Sequence, residues 1–238
     1  MEQQPTNLTP KAEATRQRIL DAALTLFATK GYEATTMRDI AAAAECSLGL
    51  TYRYFVRKEE LVLALYQRLA TQFGETFRKL PPAPLAEGFY RAMKAHFELM
   101  APYREAWGSS FDAALNPRSP VGVLGENTVE IRRMLLGIFR EVVTTATDAP
   151  KEPQAHHLTT ILYGTNLALG LFWLQDRSPD NKPTYELLAF TRDMIALLRP
   201  LLGLPPLSKA VARLAGIIEP VMGDVTPIGT DISRPTGP

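Results

Sequence analysis

A single cysteine, Cys46, in 238 residues excludes an internal disulfide and any cysteine-rich zinc cluster. Histidine is almost as scarce. His96, His156 and His157 show no spacing of a metal motif, and no cofactor is implied. The chain also lacks a phosphate-binding glycine loop, a zinc signature and a nucleophile elbow, so an enzyme is not expected. Charge of one sign is missing too. The formal net charge is +1, so nucleic-acid binding finds support only in local arrangement. The N-terminal MEQQPTNLTPKAEATRQR lacks the apolar run of a signal peptide. The longest apolar stretch, Ile161 to Leu174, contains Thr165 and Asn166 and is short for a bilayer. A cytoplasmic protein without a membrane partner is the expectation.

Strand signals are scarce, and apolar residues recur at helical spacing through most of the chain, which predicts an all-α fold. A polar arm over residues 1–10 precedes a helix from Lys11 to Lys30, with Ile19, Ala22, Ala23, Leu26 and Phe27 on one face and Gly31 as its stop. Two short helices follow, Met37 to Ala43 and Ser47 to Tyr54. A longer one from Lys58 carries Leu61, Leu65, Leu69, Phe73 and Phe77. The run Pro81 to Pro84 separates it from a helix over Leu85 to Met100. Helices over Tyr103 to Leu115 and Pro120 to Thr145 come next, and Thr147 to Pro153 reads as a linker. Two long helices, Gln154 to Gln175 and Thr184 to Leu202, close the main body. In the Pro- and Gly-rich tail over 205–238, Leu207 to Ile218 reads as one more helix, and Asp224 to Pro238 as disordered.

The segment Thr35 to Leu61 carries the most specific pattern. Thr36 and Asp39 form a capping box that starts a helix at Met37, and Ser47 is a natural cap for the next. Two short helices across the Glu45-Cys46 turn, after a longer supporting helix, match a helix-turn-helix. Cys46, Thr51 and Phe55 fall at core-facing spacing, leaving Leu48, Gly49, Leu50, Tyr52, Arg53 and Tyr54 toward the surface. Such a helix fits the major groove, where tyrosine hydroxyls and Arg53 suit phosphates or a guanine edge. Residues 1–60 contain eight Lys or Arg and eight Asp or Glu. Binding therefore requires Arg16, Arg18, Arg38, Arg53 and Lys58 to cluster while the acids face away.

On Thr35, Thr36, Ile40, Ala41, Ser47, Gly49, Tyr52, Tyr54, Phe55, Lys58, Glu59 and Leu61, the chain resembles the tetracycline-repressor (TetR) family over residues 12 to 62. Glu45 stands where that pattern usually has glycine, Thr51 where it has a core leucine, Leu50 where threonine is frequent, and Arg57 where a small polar cap precedes the lysine. The resemblance implies a DNA-binding domain over 11–60 and a helical ligand-binding and dimerisation domain over 61–204. It implies DNA contacts from Thr36, Arg38, Ser47, Leu48 and Gly49, and from Leu50, Tyr52, Arg53, Tyr54 and Lys58. The implied function is a ligand-responsive repressor, a homodimer on a palindromic double-stranded operator.

Beyond residue 62 the resemblance implies an all-helical region that holds an inducer pocket and dimerises through its last two long helices, and the residues are consistent with that. The helix through ILYGTNLALGLFWL is apolar almost all round, and Gly164, Ala168 and Gly170 permit close helix contact. With Leu187, Leu188, Thr191, Met194, Ile195, Leu198 and Leu201 on the last long helix, it supplies half of a four-helix dimer interface. An unidentified small-molecule effector is expected against Met93, His96, Met100 and Trp107, with Phe97, Phe111, Met134, Tyr163 and Asn166, since apolar cavities with a few polar groups bind small molecules. The alternative is a helical small-molecule-binding or adaptor protein without DNA affinity, left open by the neutral N-terminal charge.

Overall fold

The computed structural model describes residues 9–222 except Ser110 and Pro117, and the side chains of Ser109, Phe111 and Asp112 also lie outside it. The expected disorder of Asp224 to Pro238 falls outside the described residues. Among the described residues every regular element is helical. The helices are α1 (Pro10–Lys30), α2 (Met37–Ala43), α3 (Leu48–Tyr54), α4 (Lys58–Arg78), α5 (Leu85–Met100), α6 (Arg104–Ser109), α7 (Phe111–Leu115), α8 (Val129–Thr144), α9 (Gln154–Gln175), α10 (Lys182–Leu198) and α11 (Pro205–Met222).

The chain forms two compact units that do not follow chain order. One takes residues up to Leu69 together with Glu98–Asn127, the other Ala70–Phe97 together with everything from Thr128.

In the first unit α1 packs on α2 and on α6. It buries Ile19, Leu20, Ala23, Leu24 and Phe27, a face rotated slightly from the expected one toward Leu20 and Leu24. Thr9 caps α1, accepting from the Ala12 amide. Leu61 and Leu65 of α4 are buried beside Tyr66, whose ring stacks on Trp107 at 4.5 Å between centroids. Arg68 reaches Asp21 at 3.1 Å and lies over the Tyr103 ring.

Two expected helices are shorter in the structure. The stretch Tyr103 to Leu115 is broken: Pro102 sits in a 3₁₀ turn over Ala101–Tyr103, and α6 ends at Ser109, just after Gly108. The helix expected from Pro120 begins only at Val129, after turns and a 3₁₀ segment over Glu126–Thr128. Backbone crowding explains the delay. A Cβ on Gly122 would sit 2.8 Å from the Asn116 carbonyl oxygen, so this loop folds back tightly on itself instead of extending as a helix.

In the second unit α9 is the centre, packed by α8, α10 and α11. One face of α9 buries Leu162, Tyr163, Asn166, Leu169 and Trp173. Phe139 of α8 gathers Phe73, Phe89 and Tyr163 at centroid distances of 5.9 to 6.1 Å, and Phe97 stacks on Trp173. Aromatic pairs at these separations add about 0.5–1.5 kcal/mol each beyond area burial. Asp176 after α9 accepts from the Ser178 and Thr184 amides and hydroxyls, which ties the connection to the first turn of α10. α10 ends at Leu198 and gives way to a 3₁₀ stretch over Arg199–Gly203 that contains Pro200. α11 is longer than the expected Leu207 to Ile218 and buries Ala215 and Met222. Buried Arg132 of α8 donates to Thr128 Oγ1 at 2.7 Å and, through Nε, to the Met222 carbonyl at 3.0 Å.

Within this core His96 is 9 % exposed, stacked on Phe73 and hydrogen-bonded through Nδ1 to Asn166 Oδ1 at 3.1 Å. Burial is the larger influence on it and lowers its pKa to about 4, against the opposing Asn166 bond. A histidine held neutral in the fold protonates first in the unfolded chain, near pH 6.5. Its contribution is therefore complete above pH 6.5 and is lost as pH falls from there toward 4, by roughly 3 kcal/mol in all. Urea denaturation across that window is expected to show the loss in the wild type and a flatter profile in His96→Gln. Equal slopes would remove His96 as the cause.

The turn between α2 and α3 supplies a second expectation. Glu45 adopts φ 51, the left-handed region, where a Cβ costs roughly 1–2 kcal/mol. Glu45→Gly is expected to hold or raise stability by up to about 1 kcal/mol, because relief of strain outweighs glycine's unfolded-state entropy. Glu45→Val is expected to lower it by at least about 1 kcal/mol. Thermal unfolding of both variants is the check.

Candidate nucleic-acid interface

The α2–α3 pair is built by local hydrogen bonds that the sequence dictates. Thr36 Oγ1 accepts from the Asp39 amide at 3.2 Å while Asp39 Oδ2 accepts from the Thr36 amide at 2.8 Å, the reciprocal capping box. Lys30 adds an ion pair to the same carboxylate at 2.6 Å, and with the Thr36 bonds it lowers the Asp39 pKa to about 2. The turn closes with amide bonds from Ala44 to Ile40, Glu45 to Ala42 and Cys46 to Ala41. Ser47 then caps α3 by accepting from the Leu50 amide at 3.1 Å.

Thr51 and Phe55 anchor α3 from beneath, at 0 % and 2 % exposure. Thr51 fits where a leucine is usual because its hydroxyl donates to the Ser47 carbonyl at 3.2 Å, so no polar group is buried unpaired. The Arg16 guanidinium lies 5.1 Å over the Phe55 ring. Cys46 is half-buried, and its sulfur accepts from Arg18 at 3.3 Å, a contact across 28 residues that no local pattern announces. Arg57 leaves α4 without a small polar cap, and Glu60 compensates by reaching back to the Val56 amide at 2.8 Å.

The outward face carries exposed Thr36, Arg38, Ser47, Gly49, Tyr52 and Arg53, with half-buried Leu48, Leu50 and Tyr54 beside them. A Cβ at Gly49 would meet nothing within 4 Å, so close approach of another molecule is unobstructed there. Lys58 is differently placed. Its ammonium bonds the Tyr32 carbonyl at 2.9 Å and the Glu33 carbonyl at 3.3 Å and lies over the Tyr32 ring. Of the five cations expected to cluster, Arg16, Arg18 and Lys58 are therefore committed to intramolecular contacts. Arg38 and Arg53, with exposed Arg57, have no hydrogen bond or ion pair among the described residues. Pairing thus absorbs acids such as Glu13, Asp21, Glu33 and Asp39, and a formally neutral segment is left with uncompensated guanidinium groups.

The residues expected at an effector fall in both units. Met93, His96, Tyr163 and Asn166 are buried in the second, as is Phe97, and half-buried Met134 of the same unit lines a cavity against α8, α9 and α11. Thr71 donates to the Met134 sulfur at 3.8 Å. Met100 and Trp107 belong to the first unit, and the side chain of Phe111 lies outside the described residues. Among the described residues no group of three His, Cys, Asp or Glu side chains is arranged to hold a metal ion. Among them, too, no single helix is long and apolar enough to cross a membrane.

The profile described as bacterial regulatory proteins, tetR family, matches residues 19–65, and the tetracyclin repressor-like C-terminal domain profile matches residues 88–213. HTH-type transcriptional repressor Rv3405c of Mycobacterium tuberculosis is 39% identical over 83 residues, 35% of this chain and 43% of the relative. HTH-type transcriptional repressor KstR of Mycolicibacterium smegmatis is 40% identical over 73 residues, 31% of this chain and 34% of the relative. The chain thus spans less than half the length of the curated relatives it matches. The TetR transcriptional regulator of Nitrosomonas europaea shares the fold at a TM-score of 0.59 and 24% identity, covering 78% of this chain and 99% of that one. Thermus thermophilus FadR, solved in complex with lauroyl-CoA, does so at 0.51 and 22%, covering 79% and 94%. With profiles matching its N-terminal helices and, separately, more than half of its length, the chain belongs to the tetracycline-repressor family of bacterial regulatory proteins.

Proposed function

We propose that this chain is a DNA-binding transcriptional repressor that acts as a homodimer on a palindromic operator and responds to a small molecule. The observation that carries the reading is the surface around α3. Exposed Gly49 and Tyr52 stand there with guanidinium groups at 38, 53 and 57 that no acid neutralises. Such a helix suits the major groove, with arginines on phosphates or guanine edges. The contacts assigned to DNA are those of Thr36, Arg38, Ser47, Leu48, Gly49, Leu50, Tyr52, Arg53 and Tyr54, and of Lys58 once its ammonium exchanges carbonyls for phosphate. Rv3405c and KstR, similar to this chain over 83 and 73 residues, bear the name repressor. The lauroyl-CoA in the FadR complex supports response to a small molecule.

For the dimer, α9 and α10 supply exposed Leu171, Phe172, Phe190 and Leu197. An apolar area of this kind is the usual mark of a protein interface. A two-fold dimer would set its α3 helices in successive major grooves about 34 Å apart. An effector that prefers a conformation with different spacing would weaken DNA binding by linkage.

Fluorescence anisotropy with DNA from the upstream region, across a salt series, tests the DNA half of this reading. Selective binding is expected to weaken about tenfold or more in Tyr52→Ala and Arg53→Ala, and the Arg53 variant is expected to lose about one unit of salt slope. Failure to bind that region, a genomic pool and the pool with candidate effectors would overturn it. Sedimentation of Phe190→Asp with Leu197→Asp tests the dimer: dissociation to monomer is expected, and an unchanged dimer would place the interface elsewhere.

A further inference from the structure

A cavity of about 440 Å³ opens on the second unit between α8, α9 and the last turns of α11. It is separate from the buried His96–Asn166 cluster, and its size suits a drug-sized molecule. Apolar contact comes from Met134, Leu136 and Met222, with Thr159 and Thr160 opposite.

The middle of its α8 wall is Gly137, flanked by Arg133 and Arg140 one turn before and after. Glycine inside a helix costs about 1 kcal/mol relative to alanine. At Gly137 nothing in the packing requires it: the backbone is not left-handed, and a Cβ would meet no atom within 4 Å. What the missing side chain does is keep the cavity wall recessed between two guanidinium groups.

The hydrogen-bond balance sets the chemistry of an occupant. Arg133 bonds Glu130 through Nη1, but its Nε is buried with no partner. Arg140 donates one bond, to Glu152 at 2.8 Å. His156 Nε2 and Glu219 Oε1 meet at 3.2 Å across the α9–α11 rim. The carboxylates that share the rim face water, with side-chain exposures of 71% for Glu130 and 53% for Glu219, against 36% for Arg133 and 35% for Arg140. The acceptors are thus hydrated while a donor is desolvated and unsatisfied, a deficit that an anionic acceptor would fill.

We propose that this cavity binds an amphipathic organic anion, a carboxylate or sulfonate carrying an apolar body. The anionic group lies against Arg133 and Arg140, and the apolar body fills the recess at Gly137 against Met134 and Met222. Because α11 supplies one wall, occupancy also clamps the C-terminal helix to α8 and α9. The site stands independently of DNA binding.

The test uses the full chain, without DNA, and 8-anilinonaphthalene-1-sulfonate as the fluorescent probe, with uncharged N-phenyl-1-naphthylamine for comparison. Saturable binding of the sulfonate is expected, with the uncharged compound about tenfold weaker. Gly137→Leu, which fills the recess with a good helix former, and Arg133→Gln with Arg140→Gln, which removes both charges, are each expected to weaken the sulfonate about tenfold. Val56→Ser, at an exposed apolar residue that does not line the cavity, is expected to leave it within about twofold. Thermal unfolding of each variant confirms that it folds, and the arginine pair keeps the test decisive should Gly137→Leu fail to do so. The proposal is overturned by absent binding, by equal affinity for the uncharged compound, by indifference to both cavity variants, or by loss of binding in Val56→Ser instead.

Discussion

A helix that is apolar on nearly every side can be stable in water only where other helices cover it, and α9 imposes that demand on its whole unit. Its residues from Leu162 to Trp173 fill the aromatic core around Phe139. Burying each of these large side chains contributes about 1.5–3 kcal/mol relative to leaving it exposed. The opposite side of α9 needs cover as well, and α11 provides it. Gly164 lets Met222 come close enough that a Cβ there would sit 3.2 Å from the Met222 Cε. The second unit is therefore better understood as successive coverings of one helix than as a row of helices in chain order.

The helix-turn-helix obeys a different constraint, the disposition of charge. A count over residues 1–60 returns zero, and zero predicts nothing. What decides the surface is which charges are already engaged. Lys30 serves the α2 cap, Lys58 serves the carbonyls before it, and Arg16 and Arg18 are held by Phe55 and Cys46. These contacts hold the scaffold together while Arg38, Arg53 and Arg57 stay available. Surface ion pairs are individually weak, about 0–1 kcal/mol. Their effect here lies in sorting the charges by place.

Much of this was legible in the residues alone, for physical reasons that differ by region. The capping box at Thr36 and Asp39, the Ser47 cap and the stripe from Leu61 to Phe73 are short-range patterns, and short-range patterns predict short-range structure well. The strained turn at Glu45 was readable because a residue with a Cβ stood where glycine is usual. The broken stretch near Ser109 and the late start of α8 at Val129 were not readable. The first follows Pro102 and Gly108 inside an apolar-periodic stretch, the second a loop in which Gly122 approaches the Asn116 carbonyl, and helical periodicity is blind to both. The commitment of Lys58 to the Tyr32 carbonyl, the Arg18–Cys46 contact and the recess at Gly137 depend on tertiary neighbours 25 or more residues distant or on empty space between helices. No local pattern encodes either. Aromatic, sulfur-containing and isolated polar groups mark a small-molecule site in sequence, but they also describe ordinary core. Met134 at the edge of a cavity and Met93 deep in packing fit that description equally.

The buried guanidinium of Arg132 has a consequence for how this protein can be shortened or extended. It holds the backbone carbonyl of Met222, so the end of α11 is fastened from inside the unit. Trimming the chain anywhere before residue 222 would withdraw one acceptor from a charged group that water cannot easily reach, and a buried charge that loses a partner costs stability. At this end an affinity tag or fused domain belongs beyond that fastening, and a cut at the start of the Pro- and Gly-rich tail, at 205, would remove α11, a structural wall of the second unit.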